Sequence, residues 1–254
     1  MPPTRCFSTS QRERFGRVRN GKARSGLLTC PIRPTCRTLR PLPGIDFGQI
    51  FIGFLVLLFS LTIHEMSHAW TADQLGDPTA RLLGRVSINP AVHVDPIGTL
   101  LFPLLAAISG VPLIGWAKPV PVRVNNLRHR RRDYVLVAAA GPASNLVLAG
   151  LGSMALQTMP VSPRTVGSLD VSAPVAILAM RVIEINVLLA VFNMIPIPPL
   201  DGGNVLAGIL PRRFAAMFDA LTPYGFLLIY ALMLTGVLAT FVGPPYYLLL
   251  SWLR

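Results

Sequence analysis

Long apolar runs punctuate the chain near residues 47 to 70, 134 to 157, 174 to 195 and 224 to 242. Each approaches the roughly 20 helical residues needed to cross a hydrocarbon core of about 30 Å. A fifth run, near 96 to 116, is interrupted by Pro96, Pro103 and Pro112 and by Gly98, Gly110 and Gly115, and so does not predict a straight span. The pattern predicts an all-α polytopic membrane protein. Composition agrees, since 52% hydrophobic against 13% charged residues is too apolar for an ordinary soluble domain. No internal repeat is evident.

A formal charge of +12 invites a nucleic-acid reading, but its distribution argues against one. Residues 1 to 44 hold ten Lys and Arg against a single acid, Glu13, for +9, while the other 210 residues hold 13 against ten, for +3. The basic character therefore belongs to an N-terminal tail rather than to a binding face. This tail is rich in Arg, Ser, Thr and Pro without apolar periodicity, so it is not expected to fold alone. It contains all three cysteines, Cys6, Cys30 and Cys36, with no CxxC pair, which leaves neither a thiol redox site nor a thiolate zinc site. Three readings of it stand open: a disordered arm, an Arg-rich and acid-poor organellar transit peptide, or a start drawn upstream of the true one. The expected division is a basic extension at 1 to 44, a core at 45 to 211 and C-terminal membrane segments at 212 to 254.

Charge inside the apolar runs is more informative. The first run ends in "LTIHEMSHAW", residues 61 to 70, where two histidines and a glutamate stand at membrane depth. Ionisable groups there are expensive and default to function. On a helix of 3.6 residues per turn His64 and His68 share a face, so both imidazoles can reach one ion. Glu65 is placed to hold a water at that ion and take its proton, the logic of H-E-x-x-H zinc hydrolases.

A catalytic zinc normally has three protein ligands and an open position. The remaining histidines, His93 and His129, lie in polar loops, and His129 sits within "RHRRR", where another cation is disfavoured. The better third ligand is Asp201 in "FNMIPIPPLDGG", residues 192 to 203. Pro196, Pro198 and Pro199 end the preceding helix and are expected to force an extended segment, and irregular backbone at this depth belongs in protein or beside a wet cavity.

With "HEMSH" at 64 to 68, "GPASN" at 141 to 145 and "NMIPIPPLDGG" at 193 to 203, the chain resembles the site-2 protease family of intramembrane zinc metalloproteases over residues 45 to 211. The stretches "GDPTARLLGRVSINP" at 76 to 90 and "GWAKPVPV" at 115 to 122 resemble its compact bacterial branch. The resemblance implies one zinc ion held by His64, His68 and Asp201, Glu65 as catalytic base, and Asn145 and Asn193 as polar groups near the substrate peptide or the oxyanion. Asn145 has an alternative in helix packing, and Asn193 in bonding backbone freed by the prolines. Arg181 and Glu184 are expected to neutralise each other at i and i+3.

Topology constrains the rest. His64, His68 and Asp201 can share an ion only if one of the two intervening runs fails to cross, and the Pro/Gly-broken run at 96 to 116 is the one expected to be re-entrant or interfacial. This leaves a three-helix core. The loop 118 to 132 carries Lys118, Arg123, Arg128, Arg130, Arg131 and Arg132 without an acid, and the positive-inside rule makes it cytoplasmic. Arg212 and Arg213 fall on the same side. The site is then expected near the cytoplasmic face of a bacterial cell membrane, with the +9 tail in conflict unless it is absent or removed. Beyond 211, a further transmembrane helix and an interfacial "YYLLLSWLR" segment are expected.

The expected reaction is hydrolysis of a peptide bond within or beside a transmembrane helix of a substrate protein or peptide, with the segment before Asp201 pairing with the unwound strand. Neither core connector is long enough for a PDZ domain. The rival class is a zinc transporter or a non-catalytic zinc scaffold, against which stand the lack of a polar path in 134 to 157 and 224 to 242 and the presence of Glu65.

Overall fold

In a computed structural model the described residues are 47–109, 115–158, 165–166, 169–170, 172–211 and 220–254. The basic tail, Arg212 and Arg213 lie outside them. Three long helices form the centre: α1 (Phe47–Gln74), α4 (Arg130–Gln157) and α5 (Ser172–Asn193). All three contain stretches long and apolar enough to cross a membrane, of 27, 28 and 20 residues. Between α1 and α4 come the short α2 (Thr79–Leu82), a wide turn of helix at Pro96–Leu101, and α3 (Phe102–Ser109). After α5 the chain forms α6 (Asp201–Ile209), α7 (Gly225–Leu234) and α8 (Val237–Leu253). A two-residue antiparallel pair, Thr165–Val166 with Leu169–Asp170, is the sole strand pairing among the described residues.

Burial is inverted relative to a water-soluble protein. Ser60, Thr62, His64, Asn145 and Asn186 are buried, whereas Phe51, Phe59, Val147, Leu151 and Met154 are each more than half exposed. Outward apolar side chains and inward polar ones fit a lipid surround, where helices gain nothing from hiding Leu but must pair every polar group. With the family described below, these helices make the chain an integral membrane protein.

Helix α4 is central, packing against α1, α5 and α6. Its small residues allow this: Ala149 is fully buried with Ile183 and Val187 of α5, and a Cβ on Gly152 would come within 3.1 Å of Val182 and Ile183. The broken run turns back on itself, as a re-entrant or interfacial segment would. Trp116 N–H donates to the Gly98 carbonyl at 3.1 Å and Lys118 N–H to the His93 carbonyl at 2.9 Å, so the chain leaves this segment at the end where it came in. A Cβ on Gly98 would overlap the Trp116 indole at 2.4 Å, which explains a glycine there.

The further helix expected at 224 to 242 is a pair of helices, bent by 82° at their break. Gly236 takes φ +76, a left-handed conformation that stops α7, and its N–H closes on the Met233 carbonyl. The last segment joins the core, with Leu250 of α8 buried against Ala149, Ile183 and Val187. Arg181 pairs with Glu184 at 3.0 Å, and Arg254 reaches the same carboxylate.

Candidate metal centre

His64 and His68 face each other across one turn of α1, their Nε2 atoms 3.1 Å apart and their rings inclined at 82°. Asp201 Oδ2 lies 3.1 Å from His64 Nε2 and 3.3 Å from His68 Nε2. Ligand atoms bound tetrahedrally by zinc at about 2.0 to 2.1 Å stand roughly 3.3 to 3.4 Å from one another, so this triangle has the size of one face of such a site.

The other ring nitrogens decide what the Nε2 atoms can do. His64 Nδ1 is 2.6 Å from the Asn145 side-chain oxygen, and His68 Nδ1 is 2.7 Å from the Val137 carbonyl. Both partners only accept, so each Nδ1 carries a proton, and each ring in its neutral form then turns a lone pair on Nε2 toward Asp201. Asp201 Oδ2 is itself buried without a hydrogen-bond donor. Three atoms able to offer lone pairs converge here, and the donor set of two imidazoles and a carboxylate suits zinc. Among the described residues this is the one His, Cys, Asp and Glu group whose ligand atoms lie so close together.

Local sequence explains the convergence. Gly141 of α4 faces the histidines, and a Cβ there would lie 2.3 Å from His68 Nε2 and 2.6 Å from His64 Nε2. Pro142 leaves the Ala138 carbonyl without its helical donor, and the adjacent Val137 carbonyl receives His68. Asp201 is delivered by the turn at 194 to 200. This segment is not the extended strand expected from its prolines. Met194, Ile195, Ile197 and Leu200 all donate their N–H groups to Ala190, Phe192, Ile195 and Ile197, and Pro196, Pro198 and Pro199 have none to offer. The segment therefore has no free donor for pairing with a substrate strand, and that expectation is corrected. The turn is tight because Gly202 and Gly203 lack side chains: Cβ atoms there would sit 2.3 Å from the Met194 carbonyl oxygen and 2.7 Å from Pro198 N.

Beside the triangle opens a cavity of about 1130 Å³. His64, Glu65, His68, Asn193, Asp201 and Asn204 line it, together with Trp116 and Val120 from the segment after the re-entrant turn and Ile229 and Tyr230 of α7. The wall thus extends past residue 211. Glu65 accepts from the Val120 N–H at 3.2 Å, which holds its carboxylate at the cavity edge.

The two asparagines part company. Asn193 is on the cavity wall and donates to the Leu189 carbonyl. Asn145 has no exposed surface, and its amide is committed to His64 and, through Nδ2, to Asn186 at 2.9 Å, so its position acts on the histidine rather than on a substrate. His93 is buried and holds the Ser87 carbonyl, and His129 stands beside Asp133, both apart from the triangle. Asn186 itself was not singled out in the sequence, although an amide inside the apolar run 174 to 195 is the same signal that marked His64. It donates to Ser60 of α1 and the Val182 carbonyl.

The profile of Peptidase family M50 matches residues 52–235. The chain is 35% identical over 181 residues to the candidate zinc metalloprotease YwhC of Bacillus subtilis, covering 71% of this chain and 79% of that protein. It is 30% identical over 206 residues to the candidate zinc metalloprotease Rip2 of Mycolicibacterium smegmatis, covering 79% and 73%. With Rip2 of Mycobacterium tuberculosis the identity is 35% over 168 residues, covering 65% and 59%. No solved structure matches.

Proposed function

The chain belongs to Peptidase family M50 and is a zinc metalloprotease of the site-2 type, and from that premise we propose that it hydrolyses peptide bonds within or next to transmembrane helices of membrane-protein substrates. The observation that carries this reading is the His64, His68 and Asp201 triangle at the wall of a largely apolar cavity within a bundle of membrane-length helices.

In this reading the three side chains hold one zinc ion. Zinc there would supply a Lewis acid for the scissile carbonyl and would bring the acidity of a water close to neutral pH. Glu65, its carboxylate at the cavity edge, takes a proton from the attacking water and returns it to the leaving amine, which balances the hydrolysis. Asn145 and Val137 keep both imidazoles in the tautomer that presents Nε2. Asn193 lies where it can contact the substrate or the developing oxyanion. The protease core occupies residues 45 to 211 and draws part of its cavity wall from α7.

For orientation, Lys118, Arg123, Arg128, Arg130, Arg131 and Arg132 are exposed near the start of α4. This is the end of the bundle where α1 and α5 finish, and the positive-inside rule assigns it to the cytoplasm. The deciding experiment is cleavage of a tagged single-span substrate in proteoliposomes with bound zinc quantified. Glu65→Gln is expected to keep zinc and lose cleavage, and Asp201→Ala to lose both. Equal cleavage by all three proteins would overturn the assignment.

A further inference from the structure

A transmembrane substrate must unwind to be cut, and its released peptide groups then need partners inside a mostly apolar cavity, since each one left unpaired is costly. The turn at 194 to 200 has no free N–H to give. Most polar side chains of the cavity are engaged as well. His64, His68 and Asp201 converge on one another, Glu65 holds Val120, Asn193 gives one amide hydrogen to Leu189 and keeps the other for the role proposed above, and Tyr134 has a partner of its own.

Asn204, Tyr230 and the indole N–H of Trp116 remain, lining the cavity with no side-chain hydrogen bond to any described residue. The Trp116 indole only donates, and the Tyr230 hydroxyl donates and accepts through one oxygen, whereas the Asn204 amide carries its donor and its acceptor on separate atoms, the complement of a peptide group. It stands three residues after Asp201 on α6, so the two Cβ atoms are about 5 to 6 Å apart on one helix face. Half-buried in the wall, its amide is placed one turn from the proposed metal ligand. Resting on the proposed intramembrane proteolysis, we infer that Asn204 is a substrate-binding residue. Its Nδ2–H donates to a backbone carbonyl, and its Oδ1 accepts from a backbone N–H, of the unwound strand beside the scissile bond.

The test uses the full chain in proteoliposomes with the tagged single-span substrate. Asn204→Ala and Asn204→Leu are expected to raise KM about fivefold, the worth of a neutral hydrogen bond of roughly 1 kcal/mol, with kcat and zinc content held near wild type. A second arm replaces Cys6, Cys30 and Cys36 by Ser and combines Glu65→Gln with Asn204→Cys. Oxidation is expected to give a disulfide with a single cysteine placed beside the cleavage position of the substrate, and none with one placed two helical turns away. This arm needs no turnover, so it decides even if Asn204→Ala binds zinc poorly. Unchanged KM at full zinc content, or no site-selective disulfide while the wild type cleaves, overturns the inference alone. Failure of the wild type to cut the span overturns the underlying reading and the inference with it.

Discussion

The side-chain oxygen of Asn145 lies 2.6 Å from Nδ1 of His64, joining the middle of α4 to the candidate metal centre. This bond fixes the ring and its tautomer, and partners of this kind contribute about 10- to 100-fold to metal affinity. Asn145→Leu is therefore expected to weaken zinc binding by about that factor, measured by competition with a chelator in detergent. Asn186→Leu, one bond further away, is expected to have a smaller effect of the same sign.

Gly141 and Gly150 provide a matched pair on one helix. A methyl group at Gly141 would lie 2.3 Å from His68 Nε2, whereas one at Gly150 meets nothing within 4 Å. Gly141→Ala is expected to abolish zinc binding and cleavage while circular dichroism shows unchanged helix content. Gly150→Ala is expected to leave all three as in the wild type.

The turn before Asp201 has a similar vulnerability. Gly202→Ala would press a methyl against backbone of Met194 and Ile195, which cannot yield as a side-chain tip can. A loss of about 1 to 3 kcal/mol is expected, read as a lower unfolding temperature in detergent, together with reduced zinc because Asp201 is carried along.

Asp77, in the loop after α1, predicts a dependence on pH. Burial alone would push its carboxyl up, but the Thr79 hydroxyl, the Asn126 amide and the Arg123 and Thr79 N–H groups hold it below the ordinary carboxylate value. A depressed folded value adds stability that is fully present above the unfolded value near about 3.9 and is lost as pH falls through the folded one. Thermal unfolding followed from pH 7 downward should show that loss in the wild type. Asp77→Asn is expected to cost about 1 to 3 kcal/mol at pH 7 and to lack this share of the acid sensitivity.

The spans and the metal triangle were legible in the sequence for physical reasons. An apolar run long enough to cross lipid has few other uses, and His64, Glu65, His68 and Asp201 are conspicuous against apolar neighbours. The backbone around them was harder to read. Three prolines in 196 to 199 suggest extension, yet the space left by Gly202 and Gly203 lets the segment curl back on itself. Gly236 similarly ends α7 with little change in hydropathy to mark the break. Asn145 and Asn193 could not be told apart as candidates for contact with substrate, and Asn204 was not singled out, because which side of a wall an amide faces depends on helix rotation.

The path from Ser60 to Asn186 to Asn145 to His64 begins and ends on α1 and passes through α5 and α4. A ring of this kind couples assembly of the bundle to capture of the ion. An ion that binds only the assembled form lends it stability in proportion to the logarithm of its concentration over Kd. Chelation should accordingly slacken the contacts among three helices at once, so that scarcity of zinc is registered as a loosened protein as well as an idle one.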